Sequence, residues 1–218
     1  MVPPQNIPKP TIKRLSLYLR EVERRLEAGE QSTSSRQLGL SLGVADTQVR
    51  KDLAHFGQFG HPGVGYSTGA LASRLRTILG KDHAWNVAIV GAGKIGQAIM
   101  GYVRFAEEGF NTVAVFDANA SLAGTSIAGH EVQPMSKLSE TIGARDIRIG
   151  IVAVPADVAQ DVATLLVEAG VAGILNFAPI RLDVDAGVNV VNVDFTAAIE
   201  ELAFQVSLET KGSLDEES

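Results

Sequence analysis

Val87-Ala88-Ile89-Val90-Gly91-Ala92-Gly93-Lys94-Ile95-Gly96-Gln97-Ala98-Ile99-Met100 decides the fold of this chain. Its first four residues are wholly apolar, the composition of a parallel strand buried on both faces. They run directly into Gly-x-Gly-x-x-Gly and then into a helical pattern. Glycines alone are weak evidence, but a strand before them and a helix after them are the context of a dinucleotide-binding loop. Gly91 permits the tight turn, Gly93 lets backbone approach a pyrophosphate, and Gly96 allows close packing of helix on strand. Ala92, Lys94 and Ile95 complete the loop, and the free N–H groups of the following helix face the anion.

Downstream, the apolar run Thr112 to Phe116 ends in Asp117, 21 residues beyond Gly96. A carboxylate there accepts hydrogen bonds from ribose hydroxyls and repels a 2′-phosphate, which points to NAD(H) and not NADP(H). Further strand patterns lie at Ile149 to Val154, Gly173 to Asn176 and Asn189 to Val193, separated by helical patterns at Ser136 to Ile142 and Val158 to Ala169. Such alternation predicts a doubly wound parallel sheet whose ligand lies beyond the carboxyl ends of the strands. Asp117, Val154-Pro155 and Asn176-Phe177 are therefore candidate pocket walls. A hydroxyl or carbonyl redox reaction needs a positioned acid or base. After Trp85 the candidates are only His130, Lys94, Lys137, Lys211 and Tyr102. Lys94 belongs to the loop, and no second domain remains to hold a substrate, so the dinucleotide reads as a signal and not a reagent. Two other readings stay open: a small NAD-dependent dehydrogenase with an appended helical domain, and a CoA-binding module, since the same fold and loop serve both ligands.

Upstream the charge reverses. Met1 to His83 holds 12 Lys+Arg against 7 Asp+Glu, and Ala84 to Ser218 holds 7 against 18, which together give the net −6 of the chain. A positive half gains affinity for phosphodiesters by releasing condensed counterions. Ile12, Leu15, Leu19, Val22 and Leu26 form one helical stripe stopped by Gly29. Ser32, Ser34 or Ser35 can cap a second helix through Leu38 and Leu42 that ends at Gly43, and Asp46 or Thr47 a third whose inner face is Val49, Leu53 and Phe56. Two short helices about a tight glycine turn are the sequence form of a helix-turn-helix. Its last helix enters the major groove and leaves Gln48, Arg50, Lys51 and His55 free to meet bases or phosphates. Gly57 to Tyr66, with four glycines in ten residues, reads as the wing of a winged helix. Ser34, Ser35, Thr47, His61 and Tyr66 complete the candidate DNA-contacting set. A further amphipathic segment through Leu71, Leu75, Ile78 and Leu79 ends at Gly80, where this domain closes.

The absence of cysteine excludes disulfides, thiolate zinc sites and a Cys nucleophile. Four histidines, three of them before Trp85, make a metal site an unpromising reading. With no signal-peptide pattern and no apolar run near the roughly 18 residues of a membrane span, the expectation is a soluble cytoplasmic protein without a membrane partner.

From Ile7 to Leu208 the chain resembles the Rex family of redox-sensing transcriptional repressors. The resemblance is carried by Ile12-Lys13-Arg14-Leu15, Val49-Arg50-Lys51-Asp52-Leu53, Phe56-Gly57, Gly63-Val64-Gly65-Tyr66, Gly91 to Gly96, Val154-Pro155, Ile174 to Pro179 and Asn192-Val193-Asp194-Phe195. It implies a homodimer that binds inverted-repeat operator DNA when NAD+ predominates and releases it when NADH rises. It also implies that the helix after Asp194 is exchanged between subunits, that Phe195 closes a partner's nicotinamide pocket near Tyr102, and that Arg20 and Asp194 make interdomain contacts that change with redox state. Phe195, Ile199, Leu202 and Val206 do form a helical stripe, which taken alone suits ordinary core. The expected organisation is α/β: a winged helix-turn-helix domain over residues 1–80, a Rossmann-like NAD(H) domain over 81–194, a dimerisation helix over 195–208 and a disordered acidic tail over 209–218.

Overall fold

The computed structural model describes residues 7–59 and 65–215. The chain divides into two compact units, Met1–His83 and Ala84–Ser218.

In the first unit, α1 (Lys9–Glu27), α2 (Ser35–Leu42), α3 (Asp46–Ala54) and α4 (Thr68–Ile78) enclose a core of Leu15, Tyr18, Leu19, Val22, Leu38, Val49, Leu53, Phe56, Leu71 and Leu75. The predicted stripe on α1 is the buried one, except that Ile12 and Leu26 at its ends project beyond the core and are exposed. Ser34 caps α2 by accepting from the Gln37 N–H, and Gly43 ends it in the left-handed region with φ 65°. The third helix departs from expectation. Its N-cap is Ala45, not Asp46 or Thr47, and makes no side-chain cap bond. The α2–α3 turn is tight because residue 39 has no side chain: a Cβ on Gly39 would lie 2.4 Å from the Val44 carbonyl oxygen. Strand β1 (Ser32–Thr33) pairs antiparallel with β2 (Tyr66–Ser67), closing the base of the expected wing. Gly60 to Val64, and with them His61, lie outside the described residues.

The second unit is a seven-stranded sheet. It comprises β3 (Trp85–Val90), β4 (Phe110–Asp117), β5 (Ser126–Ile127), β6 (His130–Pro134), β7 (Ile149–Val152), β8 (Gly173–Asn176) and β9 (Asn189–Asn192), in the order β5-β6-β4-β3-β7-β8-β9. All neighbours are parallel except the β5–β6 pair. Helices α5 (Lys94–Met100), α6 (Arg104–Glu107), α7 (Leu138–Ala144) and α8 (Ala156–Glu168) lie in the connections, and α9 (Phe195–Asp215) follows the last strand. Val87, Ala88, Ile89 and Val90 are buried and divide between two apolar clusters, the mark of a central strand covered on both faces. From β3 the chain winds outward to β4 and β6, then crosses back to β7 on the other side of β3. The crevice for a ligand in such a sheet lies at that reversal, beyond the carboxyl ends of β3 and β7. The last helix continues past Leu208, the expected end, to Asp215, and every side chain from 195 to 208 is exposed.

A buried carboxylate ties the first unit together. Asp52 has no exposed surface, and its oxygens accept from Thr11, Arg14, Tyr18 and Gln48, so that α3 is held against α1. Burial disfavours the charge, yet those donors outweigh it and hold the carboxyl at about 2. Glu21, bonded to Arg24 and opposed by its own burial, is likewise held at about 2. Both values lie below the roughly 4 of an unfolded carboxyl, so the stability they supply is complete above about pH 4 and lost as pH falls toward 2. Amide hydrogen exchange, corrected for its intrinsic pH dependence, should therefore show α1 and α3 losing protection over that interval. Unchanged protection would mean the two carboxylates contribute little.

Candidate dinucleotide and nucleic-acid sites

The glycine loop follows β3 at the reversal point, and the space around each glycine differs. Gly91 has φ 103°, and a Cβ on it would lie 2.4 Å from the Ala153 carbonyl oxygen, so the ends of β3 and β7 meet through bare backbone. A Cβ on Gly96 would lie 1.9 Å from the Gly91 carbonyl oxygen. At Gly93 a Cβ would meet nothing within 4 Å. Two glycines are thus required by the protein itself, while the third leaves open space beside exposed Lys94 and Ile95. That is the cradle a pyrophosphate needs, and the residues present fit a dinucleotide.

Asp117 stands at the end of β4, half-buried, next to this loop. Its Oδ2 accepts from the Ala92 N–H at 2.8 Å and its Oδ1 from the Asn119 N–H at 2.8 Å. The carboxylate therefore braces the loop, and its remaining lone pairs are available to ligand hydroxyls. Val154 and Pro155 follow β7, half-buried and exposed respectively. Phe177 follows β8, and the Phe195 ring lies near it within the same chain, with centroids 6.1 Å apart. Tyr102 is exposed just after α5. Asn176 does not line a pocket. It is fully buried, donates to the carbonyl oxygens of Ala178 and Ile180 and to Asn192, and accepts from the Ala178 N–H. Its work is to shape the turn that presents Phe177. Asp194 caps α9, accepting from the N–H groups of Thr196 and Ala197, while Arg20 lies exposed on α1 in the other unit.

On α3, Thr47, Arg50 and Lys51 are exposed and Gln48 is half-buried, and His55 just after the helix is exposed. Arg50 is not loose: its Nη1 donates to Asp46 at 2.7 Å and to Ser35 at 3.0 Å, and it holds the Asp46 carboxyl below the usual carboxylate range. Ser35 is buried, and Ser34 is engaged in capping. These two serines position the helices, leaving Arg50 and Lys51 as the outward cations. Tyr66 is half-buried in β2. Two residues escaped the reading of the sequence. Asp52 shares the inner face with Val49, Leu53 and Phe56, at spacings of 3, 1 and 3, so a charge at a core-facing position was the available signal. Arg74 gave none. From α4 it donates to the carbonyl oxygens of Phe56 and Gln58 and lies 4.4 Å above the Phe59 ring, fixing the path of the chain as it leaves α3. Among the described residues there is no cluster suited to a metal ion, and no helix is long and apolar enough to cross a membrane.

Known proteins match both units. A family model described as "Putative DNA-binding protein N-terminus" covers residues 6–54, and one described as "CoA binding domain" covers residues 82–180. The redox-sensing transcriptional repressor Rex of Carboxydothermus hydrogenoformans is 47% identical over 200 residues, which is 92% of this chain and 96% of that protein. Rex of Desulforamulus reducens is 43% identical over 205 residues, 94% of this chain and 98% of its own. Among solved structures, the Rex-family repressor RSP in complex with β-NAD+ and operator DNA superposes with a TM-score of 0.90 at 36% identity, covering 99% of this chain and 100% of that one. RSP in complex with β-NADH gives 0.87 at 35% identity, covering 96% and 99%. Similarity this high along nearly the whole length places the chain in the Rex family of redox-sensing transcriptional repressors.

Proposed function

We propose that this protein is a transcriptional repressor that senses the NADH/NAD+ ratio, binding inverted-repeat operator DNA when NAD+ predominates and dissociating when NADH binds. One observation carries this reading: the likeness over 99% of the chain to a repressor solved with β-NAD+ and operator DNA. It acts as a regulator and not as an enzyme. The loop from Gly91 to Gly96 holds the pyrophosphate, Asp117 the ribose, and Val154, Pro155 and Phe177 wall the nicotinamide. Ser34, Ser35, Thr47, Gln48, Arg50, Lys51, His55, His61 and Tyr66 form or support the DNA-facing surface. The protein works in the cytoplasm as a homodimer, a state supported by the apolar side chains that α9 exposes.

NAD+ and NADH differ chiefly by one positive charge on the nicotinamide ring. A pocket walled by Val154, Phe177 and Phe195 offers that charge no partner, so the neutral form binds more favourably. A ligand shifts an equilibrium only by its differential affinity for the two states. NADH therefore favours a dimer whose recognition helices no longer match half-sites about 34–36 Å apart, with Arg20 and Asp194 among the contacts that change.

Linkage makes this testable, since operator must weaken NADH binding by the same factor as NADH weakens operator binding. Titrating NADH into operator-bound protein should release the DNA, and unchanged DNA affinity at saturating NADH would overturn the reading. The loop glycines should separate into two kinds. Gly93→Ala should keep the melting temperature and lose NADH affinity, whereas Gly96→Ala should destabilise the second unit by about 1–3 kcal/mol, both seen by calorimetry. Lys51→Ala should lower operator affinity and reduce the slope of log affinity against log salt by about 1, with NADH affinity intact. Equal loss of both would reject its role.

A further inference from the structure

Gln48 lies in the first turn of α3, and its Nε2 donates to Asp52 Oδ1 at 2.8 Å. The same carboxylate accepts from Arg14 Nε and Nη2 at 2.6 and 2.7 Å, from the Tyr18 hydroxyl at 2.8 Å and from Thr11 Oγ1 at 3.1 Å. With this many donors Asp52 is ionised at neutral pH, and an ionised carboxylate only accepts. A primary amide beside it has one sensible orientation. The reverse would set Oε1 against a carboxylate oxygen, two acceptors with no hydrogen between them. Gln48 therefore turns its NH2 toward Asp52 and its carbonyl away. In the pairing of glutamine with adenine it is the amide carbonyl that accepts from the N6 amino group. Asp52 engages one of the two amide N–H bonds and so fixes which end of the amide is the carbonyl, while the second N–H stays available.

We infer that Asp52 is a positioning residue that fixes the polarity of Gln48, so that the recognition helix offers the major groove an acceptor and reads an exocyclic amino group, adenine N6 or cytosine N4, at one position of each half-site. This rests on the DNA-binding reading above and goes beyond it by naming the chemical group that is read. Arg14 and Tyr18 belong to the same device from α1: they hold the carboxylate that holds the amide. Sequence preference at that position is thus set by a residue that touches no base.

Operator binding by fluorescence anisotropy, on duplexes each carrying one base analogue, tests this. Purine in place of adenine, or 2-pyrimidinone in place of cytosine, removes the amino group. Removing the amino group at one half-site position should weaken wild-type binding by about 2- to 13-fold. That penalty should vanish in Gln48→Ala and in Asp52→Asn, whose own amide lets Gln48 take either orientation. If Asp52 only supported the fold, D52N would weaken every duplex by a common factor and preserve the pattern, which would overturn the inference. Should D52N not fold, Q48A decides alone, because it leaves the other partners of Asp52 in place. An amino-group penalty that survives Q48A refutes the proposal while wild-type preference for the operator stands. Loss of that preference itself, with wild type binding operator no better than a scrambled duplex, would instead overturn the DNA-binding reading and this inference with it.

Discussion

The second unit depends on backbone meeting backbone without side chains between. Gly91 brings the end of β3 against the Ala153 carbonyl beside β7, and Gly96 lets the first turn of α5 rest on the Gly91 carbonyl. With a methyl group at either position the helix would have to move off the sheet, and the crevice at the reversal of strand order would change shape. Asp117 secures the arrangement by binding the Ala92 N–H. The loop is therefore rigid before any ligand arrives, and such preorganisation lowers the ordering cost of binding.

In the first unit the equivalent constraint is electrostatic. Four side chains from α1 and α3 converge on the Asp52 carboxylate, so the angle between the recognition helix and its support is set by directional bonds as well as by apolar packing. Removing one partner of a buried ion pair commonly costs about 3–5 kcal/mol. Arg74 continues the theme at the other end of α3, where it gathers the carbonyl oxygens of Phe56 and Gln58. The surface offered to DNA is thus fixed from behind at both ends of one short helix.

Much of this was legible in the residues. The central strand, the glycine loop and Asp117 follow from local pattern, because buried parallel strands and phosphate loops each impose composition on consecutive residues. Strand Gly173–Asn176 has the predicted limits for the same reason. Strand β6 was not visible, since His130-Glu131-Val132-Gln133-Pro134 carries one buried residue and takes its extended form from pairing with β4. The cap of α3 was misread by one residue: the helix begins at Asp46 itself, so the N-cap position falls on Ala45, whose side chain cannot accept a hydrogen bond. Asn176 looked like a pocket wall by position, but only the folded turn reveals that its amide is consumed by the carbonyls of Ala178 and Ile180. Gln48 was likewise read as free, its partner Asp52 being visible only in three dimensions.

The last helix carries apolar residues on opposite sides. At about 100° per residue, Phe195, Ile199, Leu202 and Val206 fall on one side, and Phe204 with Leu208 on the other; all six are exposed within the single chain. One neighbouring surface can cover only one side, so the helix calls for a sandwich and not a docking face. Left uncovered, both sides would hold apolar surface in water, so whatever covers the helix gains the free energy of burying two faces at once.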